Sequence, residues 1–241
     1  MSGNQDPVII LVEPQLGENI GMCARAMLNC GLSKLRLVNP RDGWPQDAAR
    51  ATAADADIVI DRAEVFATLD GAIADCHRVF ATTARERSQT IPVLNAEAAA
   101  AEIKLATKGE GTVAVLFGPE ASGLDGESIA RADTLLRFPT NPEFSSLNLA
   151  QAVLLLGWEW RRSAIDEPTT LSEETATREE LEGFLARLFE TLDEKEFFLT
   201  EEMKPHSIQL LRILFTKANA TPQEVKLLHG MLSALKRDSG S

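Results

Sequence analysis

Short apolar runs alternate with amphipathic stretches over the first two thirds of the chain. The runs VIILV at 8–12 and VAVLF at 113–117 are apolar at every position, as expected of strands buried on both faces of a sheet. Further strands are predicted at 35–38, 58–60, 78–82 and 135–138, and helices at 19–30, 46–54, 64–76, 95–107, 126–131 and 146–163. This alternation predicts an α/β fold with a parallel sheet and helices on both faces.

The pattern changes after residue 163. Residues 164–177 are polar and acidic and contain a proline, which is typical of a linker. Beyond them, apolar residues three and four apart predict helices at 178–192 and 205–217, and a capping box from Thr221 to Glu224 starts a third. We therefore expect a sheet domain over 1–163, a linker over 164–177 and a small all-α appendage over 178–241.

Polar loops follow four of the predicted strands, at 13–19, 82–87, 118–123 and 140–145. In parallel sheets, ligands bind beyond the carboxyl ends of the strands. The loops are therefore predicted to meet over one site.

Charge and composition limit the partners of this site. The formal net charge is −12, and the parts before and after residue 163 are each acidic, which argues against non-specific binding to nucleic acid. An RNA partner would need a local basic patch. The sequence contains no apolar run of about 18–20 residues and no basic start of a signal peptide, so we expect a cytoplasmic protein without a membrane span.

The chain lacks common catalytic signatures. Cys23, Cys30 and Cys76 lie in apolar contexts and are expected to be buried free thiols, and no Cys/His spacing indicates a metal site. The glycines match neither a phosphate-binding loop nor a dinucleotide fingerprint, and there is no nucleophile elbow.

The residues at the polar junctions each allow two interpretations. Gly118 either makes a tight turn or lets the backbone approach a ligand. Glu120 is either a solvated carboxylate or an acceptor for a bound group, and Arg25 is either a surface charge or a functional cation. Ser146 and Asn148 either cap a helix or bind a ligand at its start.

Taken together, three segments resemble the motifs of a known family. NIGMCAR at 19–25, LFGPEASGL at 116–124 and PTNPEFSSLNLAQAV at 139–153 resemble the SpoU group of SPOUT RNA 2′-O-ribose methyltransferases, over about 155 residues. The N-terminal segment LVEPQLGENIGMCARAM and the helical tail are most similar to the bacterial TrmJ type. Pro119 and Phe144 depart from the family pattern, where a basic or polar residue and a tyrosine are common.

The resemblance implies an S-adenosylmethionine-dependent methylation of a ribose 2′-hydroxyl at position 32, a cytidine or uridine, of the tRNA anticodon loop. It also implies a C-terminal trefoil knot in the sheet domain and a homodimer with the active site at the subunit interface. Leu154, Leu155 and Trp158 belong either to that interface or to the core. The alternatives are an rRNA 2′-O-methyltransferase, a non-catalytic RNA-binding homologue, or a small-molecule enzyme, which suits the acidic charge but leaves the motifs unexplained.

By the same resemblance, the catalytic residues are Arg25, Asn19, Glu120, Ser146 and Asn148. Arg25 either clamps a phosphate or accepts the 2′-proton, and the very high pKa of arginine favours the clamp. Asn19 would orient Arg25 or the ribose. Glu120 and Ser146 would hold the ribose and the cofactor tail, with Asn148 in support.

The resemblance also implies that backbone groups hold the cofactor, S-adenosylmethionine. The matching positions are Thr82, Thr83, Ala84, Gly118, Phe138, Ser145, Ser146 and Leu147. Arg41, Arg85 and Arg87 are expected to bind tRNA, with further positive surface from Arg50, Arg78, Lys204, Arg212 and Lys217. No metal and no membrane partner is expected.

Overall fold

A computed structural model of the chain describes residues 6–84, 91–109, 111–163, 175–198, 200 and 202–237. Its sheet has seven strands in the order β3-β2-β1-β6-β4-β7-β5, and every neighbouring pair is parallel. The strands are β1 (Val8–Val12), β2 (Leu35–Val38), β3 (Glu64–Phe66), β4 (Cys76–Thr82), β5 (Val93–Asn95), β6 (Thr112–Phe117) and β7 (Thr134–Arg137).

Helices cover both faces of this sheet. They are α1 (Gly17–Asn29), α2 (Asp47–Ala53), α3 (Asp57–Asp61), α4 (Leu69–Ile73), α5 (Ala96–Ala106), α6 (Gly126–Ile129) and α7 (Leu149–Arg162). Alternate residues of β1 enter different cores: Ile9 and Leu11 pack with α1, α2, α3, α5 and α7, whereas Val8 and Ile10 pack with α4 and α6. The predicted α/β fold, with central strands buried on both faces, is confirmed. The trefoil knot stays a prediction.

Two predicted elements on one side of the sheet were wrong. Residues 58–60 are not a strand but part of α3, which turns Val59 and Ile60 into the core and leaves Ile58 exposed. Residues 64–76 are not one helix, because β3 pairs with β2 at the edge of the sheet before α4 begins. Strand β5 was missed. Segments of three to five residues are too short for periodicity to separate helix from strand.

The starts of two helices also differ from prediction. Helix α1 begins at Gly17, before the predicted start at residue 19, so Asn19 lies within its first turn and does not cap it. Helix α7 begins at Leu149 with Asn148 as its cap, and Ser146 lies in the loop before it. Gly31, with a φ of +80°, follows the end of α1 and allows the chain to leave the helix.

The C-terminal part contains α8 (Arg178–Glu194), α9 (Lys204–Lys217) and α10 (Pro222–Arg237), which lie where helices were predicted. We use "helical extension" for these three helices. Most of the predicted linker, residues 164–174, lies outside the described residues. None of the described helices is both long enough and apolar enough to cross a membrane.

The helical extension packs against the sheet near the amino ends of its strands. Arg178, the first residue of α8, forms an ion pair with Asp133, which directly precedes β7. Their side chains are only 5% and 2% exposed. The amide of Glu179 donates to the carbonyl of Ala74 at 3.1 Å, and Ile213 packs against the core on this face of the sheet.

Candidate active site

A cavity of about 290 Å³ lies at the carboxyl ends of β4, β6 and β7. All eight residues predicted to bind the cofactor line it: Thr82, Thr83, Ala84, Gly118, Phe138, Ser145, Ser146 and Leu147. The topology explains this convergence, because β4 lies between β6 and β7 and the loops after all three strands leave at the same edge. The structure thus brings together four segments that the sequence keeps apart.

The loop after β6 folds tightly back on itself. A Cβ at Gly118 would lie 2.3 Å from the backbone nitrogen of Leu124, so no other residue fits there without a shift of the backbone. Gly123 has a φ of +67°, and its amide donates to the carbonyl of Pro119 at 2.8 Å. This fold aims Glu120 towards α1 and leaves the loop backbone along the cavity wall.

A chain of hydrogen bonds joins the three motif segments. The Asn148 side chain donates through Nδ2 to Asn19 Oδ1 at 3.1 Å, and Asn19 Nδ2 donates to Glu120 Oε1 at 2.7 Å. The backbone amide of Gln15 donates to Glu120 Oε2 at 2.9 Å. Both carboxylate oxygens therefore accept a hydrogen bond from the segment around the start of α1.

Asn148 serves two elements at once. The Asn148 side-chain Oδ1 accepts from the backbone amide of Ala150 at 2.9 Å, and the Asn148 backbone amide donates to Gln151 Oε1 at 3.0 Å. Together these two bonds cap α7. The side-chain Nδ2 of Asn148 remains for the bond to Asn19. The start of α7, the loop after β6 and the first turn of α1 are thereby tied to one another, while Glu120 and Ser146 also line the cavity.

Arg25 lies apart from this group. It is exposed on α1, is not among the residues that line the cavity, and forms no hydrogen bond or ion pair with the part of the chain that the structure describes. Met22 and Leu28 on α1 and Leu154, Leu155 and Trp158 on α7 are also exposed, so these three α7 residues are not core. Met22 and Leu28 lie three residues from Arg25 along α1, so on that helix Arg25 has exposed apolar neighbours.

The predicted RNA-binding arginines have different surroundings. Arg41 is exposed, its amide donates to the carbonyl of Pro14, and its guanidinium pairs with Asp42 at 3.0 Å. The hydrogen bond to Asp42 raises the pKa of Arg41, and the negative charge of Glu120 adds to this effect. Arg85 and Arg87 lie outside the described residues.

Other cations expected to form positive surface are already paired with acids. Arg78 is largely buried and pairs with Glu102 at 2.7 Å, and Arg212 is largely buried and pairs with Glu182. Arg50 pairs with both Asp57 and Asp61, and Lys204 pairs with Asp193 at 2.5 Å. The prediction of accessible positive surface is therefore wrong for Arg78 and Arg212. Lys217 is exposed.

The three cysteines are buried free thiols, as predicted. Burial raises the pKa of Cys76 to about 12 and raises the pKa of the Cys23 thiol further, which removes them as nucleophiles. The described residues contain no group of three or more His, Cys, Asp or Glu arranged to hold a metal ion.

Several residues at the cavity were not predicted. Thr140, Ser122, Leu124 and Leu149 line it, and the backbone of Gln15 holds Glu120. These four residues lie inside the motif segments, so the motifs could have been used to predict them. The role of Gln15 had no signal, since a backbone amide is the same in every residue but proline.

Comparisons with known proteins agree with this geometry. A family model described as the SpoU rRNA Methylase family matches residues 6–158. The chain is 35% identical over 241 residues to the tRNA (cytidine/uridine/adenosine-2′-O-)-methyltransferase TrmJ of Pseudomonas aeruginosa (strain UCBPP-PA14), which covers 95% of this chain and 93% of the relative. It is 37% identical over 238 residues to the tRNA (cytidine/uridine-2′-O-)-methyltransferase TrmJ of Yersinia pestis (strain Pestoides F), with 95% and 91% covered.

Solved structures show the same relationship. The crystal structure of TrmJ from Z. mobilis ZM4 superposes with a TM-score of 0.87 and 48% identity, over 95% of this chain and 99% of the other. A probable methylase family protein from Haemophilus influenzae Rd KW20 has a TM-score of 0.61 and 29% identity, with 95% of both chains covered. Because the family model spans more than half of the sequence and the relatives match nearly all of it, this chain belongs to the SpoU methylase family and, within it, to the TrmJ type.

Proposed function

We propose that this protein transfers a methyl group from S-adenosylmethionine to a ribose 2′-hydroxyl of tRNA. The observation that carries the proposal is that the second and third motif segments line one cavity and that the first segment is tied to both of them, through the bonds from Asn148 to Asn19 and from Asn19 to Glu120. The names of the TrmJ relatives support tRNA as the substrate rather than rRNA. Within tRNA we propose position 32 of the anticodon loop, which follows from the resemblance of the motifs.

The cavity suits S-adenosylmethionine in chemistry and approximate size. Its volume of about 290 Å³ is close to the lower end of the range of roughly 300–1,000 Å³ typical of small-molecule pockets. Apolar walls from Phe117, Leu124 and Phe138 suit an adenine ring, and the backbone along 82–84, 118–123 and 145–147 offers amides and carbonyls for polar ends. When bound, the cofactor supplies an electrophilic methyl group, so no metal is needed.

The residues of this chain then have to position the ribose and stabilise its oxygen. Alignment of two reacting groups in one pocket supplies a large share of the rate acceleration of such a transfer. Glu120 and Ser146 lie at the cavity and meet the ribose, while Asn19 and Asn148 keep Glu120 in place. Arg25 clamps the neighbouring phosphate with two hydrogen bonds and stabilises the negative charge that develops on the 2′-oxygen.

A homodimer would bring Arg25 to a cavity. Within one chain Arg25 does not line the cavity. Exposed apolar residues lie on α1, which carries Arg25, and on α7, which packs against α1, and a second copy can cover them. We propose that this surface, which we name the α1–α7 patch (Met22, Leu28, Leu154, Leu155 and Trp158), is the dimer interface. Arg25 of each chain would then act at the cavity of the other.

Transfer of a tritiated methyl group from S-adenosylmethionine to tRNA tests the activity directly. Mass-spectrometric mapping of modified nucleosides, before and after incubation, identifies the position. We expect one new 2′-O-methylated nucleotide at position 32 and none in rRNA. Methylation of rRNA alone would overturn the tRNA assignment. Binding of the cofactor without transfer to any RNA would favour the non-catalytic alternative.

Mixing two inactive variants tests the dimer. Arg25→Ala lacks the clamp, and Gly118→Val has no room for its side chain beside Leu124. If Arg25 acts across the interface, co-refolded mixtures regain about a quarter of wild-type activity, because half of the dimers are mixed and each has one intact site. If Arg25 acts within its own chain, or if sedimentation shows a monomer, the mixture stays inactive and the interface proposal fails.

A further inference from the structure

Phe144 is the most exposed large apolar side chain among the residues that the structure describes. Its exposure is 76%, compared with 66% for Leu235 and 64% for Leu227 on α10. An isolated exposed apolar residue is common on protein surfaces. The position of Phe144, and not its exposure alone, therefore has to support any role in binding.

Phe144 directly precedes Ser145 and Ser146, which line the cavity, although Phe144 itself does not line it. Phe144 lies in the loop between β7 and α7, and the same loop lines the cavity with Phe138, Thr140, Ser145 and Ser146. A ribose placed at the cavity carries its base on a short glycosidic bond. The base attached to that ribose must therefore lie close to the rim of the cavity, within reach of the loop that holds Phe144.

The backbone under Phe144 is held by local hydrogen bonds. The amide of Phe144 donates to the carbonyl of Asn141 at 2.9 Å, and these two residues form an isolated antiparallel bridge. The side chain of Asn141 accepts from the amide of Glu143 at 3.0 Å. A turn held at two points presents the ring with little further loss of conformational entropy on binding.

The charge of this loop limits how it can meet RNA. Residues 138–148 contain no lysine or arginine, and Glu143 is the only charged residue among them. The loop therefore cannot neutralise phosphates, and its carboxylate repels them. Stacking of a base on an aromatic ring requires no charge, and it is a principal way in which proteins bind the splayed bases of RNA loops.

We propose that Phe144 is a stacking platform for the base of the nucleotide whose ribose is methylated. The inference rests on the proposed function, since it needs a ribose at the cavity. It assigns to this loop a task separate from lining the cofactor cavity. Phe144 holds the base outside the cavity, and thereby helps to align the attached 2′-oxygen.

Substitutions at Phe144 test the platform. In Phe144→Ala we expect the KM for tRNA to rise about tenfold, as loss of one stacked base predicts. Cofactor binding by calorimetry and the sedimentation coefficient should stay as in the wild type. Phe144→Tyr and Phe144→Trp should restore KM because they retain a ring, whereas Phe144→Leu should not. Val65→Ala, at an exposed residue of the edge strand β3, is the matched control and should change nothing.

An abasic substrate separates stacking from a structural role. In a tRNA that retains the ribose at the methylated position but lacks its base, wild type and Phe144→Ala should have equal KM values. A difference that persists on abasic RNA would overturn the proposal, as would equal KM values on intact tRNA. Altered sedimentation with unchanged KM would assign the ring to a protein contact instead.

Failure of the proposed function is distinguishable from failure of this inference. If wild-type protein methylates no RNA, the function fails, and the variants are then compared by equilibrium binding of intact and abasic tRNA. Equal binding of intact tRNA by wild type and Phe144→Ala overturns the platform as well. Methylation at wild-type KM by Phe144→Ala overturns the platform alone.

Discussion

The two ends of the parallel sheet use different polar chemistry. At the carboxyl end, two neutral amides and one carboxylate hold the motif segments together beside an open cavity. At the amino end, Asp133 and Arg178 form an ion pair that is almost completely buried beneath α8. Hydrogen bonds between the amides and the carboxylate position the loops and leave the cavity beside them open to a ligand. A buried ion pair leaves neither charge available, so it suits attachment of the helical extension to the sheet.

Removal of the buried arginine should have the largest effect. Arg178→Ala removes one partner of a buried ion pair and leaves the Asp133 carboxylate with the Val79 amide and with Arg78, whose Nε lies 4.0 Å away. Breaking a buried pair in this way lowers the free energy of unfolding by about 3–5 kcal/mol. Urea denaturation followed by circular dichroism measures the change. Arg50→Ala is the matched control, because Arg50 pairs with Asp57 and Asp61 at the exposed surface and its loss should hardly move the midpoint. Equal shifts of the urea midpoint in both variants would show that the buried ion pair stabilises the protein no more than the exposed one. That result would contradict the role given to Asp133 and Arg178 at the amino end of the sheet.

Loss of the exposed arginine should affect catalysis without affecting stability. Arg25→Ala should lower kcat about 10²–10³-fold, the range seen when one donor to a developing oxyanion is removed. Its urea midpoint and its affinity for S-adenosylmethionine should match the wild type, because Arg25 has no partner among the described residues. Arg162→Ala, at an exposed arginine on α7, provides the comparison. Wild-type turnover in Arg25→Ala would remove this residue from the site.

A smaller effect is expected from Glu120→Gln, in the loop at the carboxyl ends of the strands. Both oxygens of Glu120 accept hydrogen bonds, from Gln15 and Asn19, and a glutamine places an amide group against one of these donors. One lost bond of this kind costs about 1–3 kcal/mol. We expect calorimetry to show a higher dissociation constant for the cofactor, raised by the factor that this free energy corresponds to. Unchanged affinity would show that the network does not shape the cavity.

The smallest effect is expected at the thiols. Burial raises the pKa of Cys23, Cys30 and Cys76, so at pH 8 the reactive thiolate is scarcer than in an ordinary cysteine. Iodoacetamide should leave all three unmodified in the native protein and label all three in urea, as mass spectrometry would show. Rapid labelling of Cys23 in the native state would contradict its burial on the core-facing side of α1.

Much of the fold followed from pattern, whereas the site depended on resemblance. The apolar runs of β1 and β6 identify buried parallel strands because such strands have no polar face. The eight cavity residues were found because their motifs match a family. Arg25 matched equally well, yet it lies away from the cavity of its own chain. Motif matching identifies which residues belong to a family site, but it does not show whether one chain or two assemble it.

The sequence by itself determined the alternation of strands and helices, the burial of the thiols and the place of the helical extension along the chain. These features depend on local periodicity and on apolar content. Only the tertiary structure decided what Asn19, Asp133 and Arg178 do. Asn19 has the character of a helix cap, but its partners are 101 and 129 residues away, and Asp133 and Arg178 are 45 residues apart. Contacts over such separations depend on strand order and on which loops leave the sheet at the same end, and no local pattern records either.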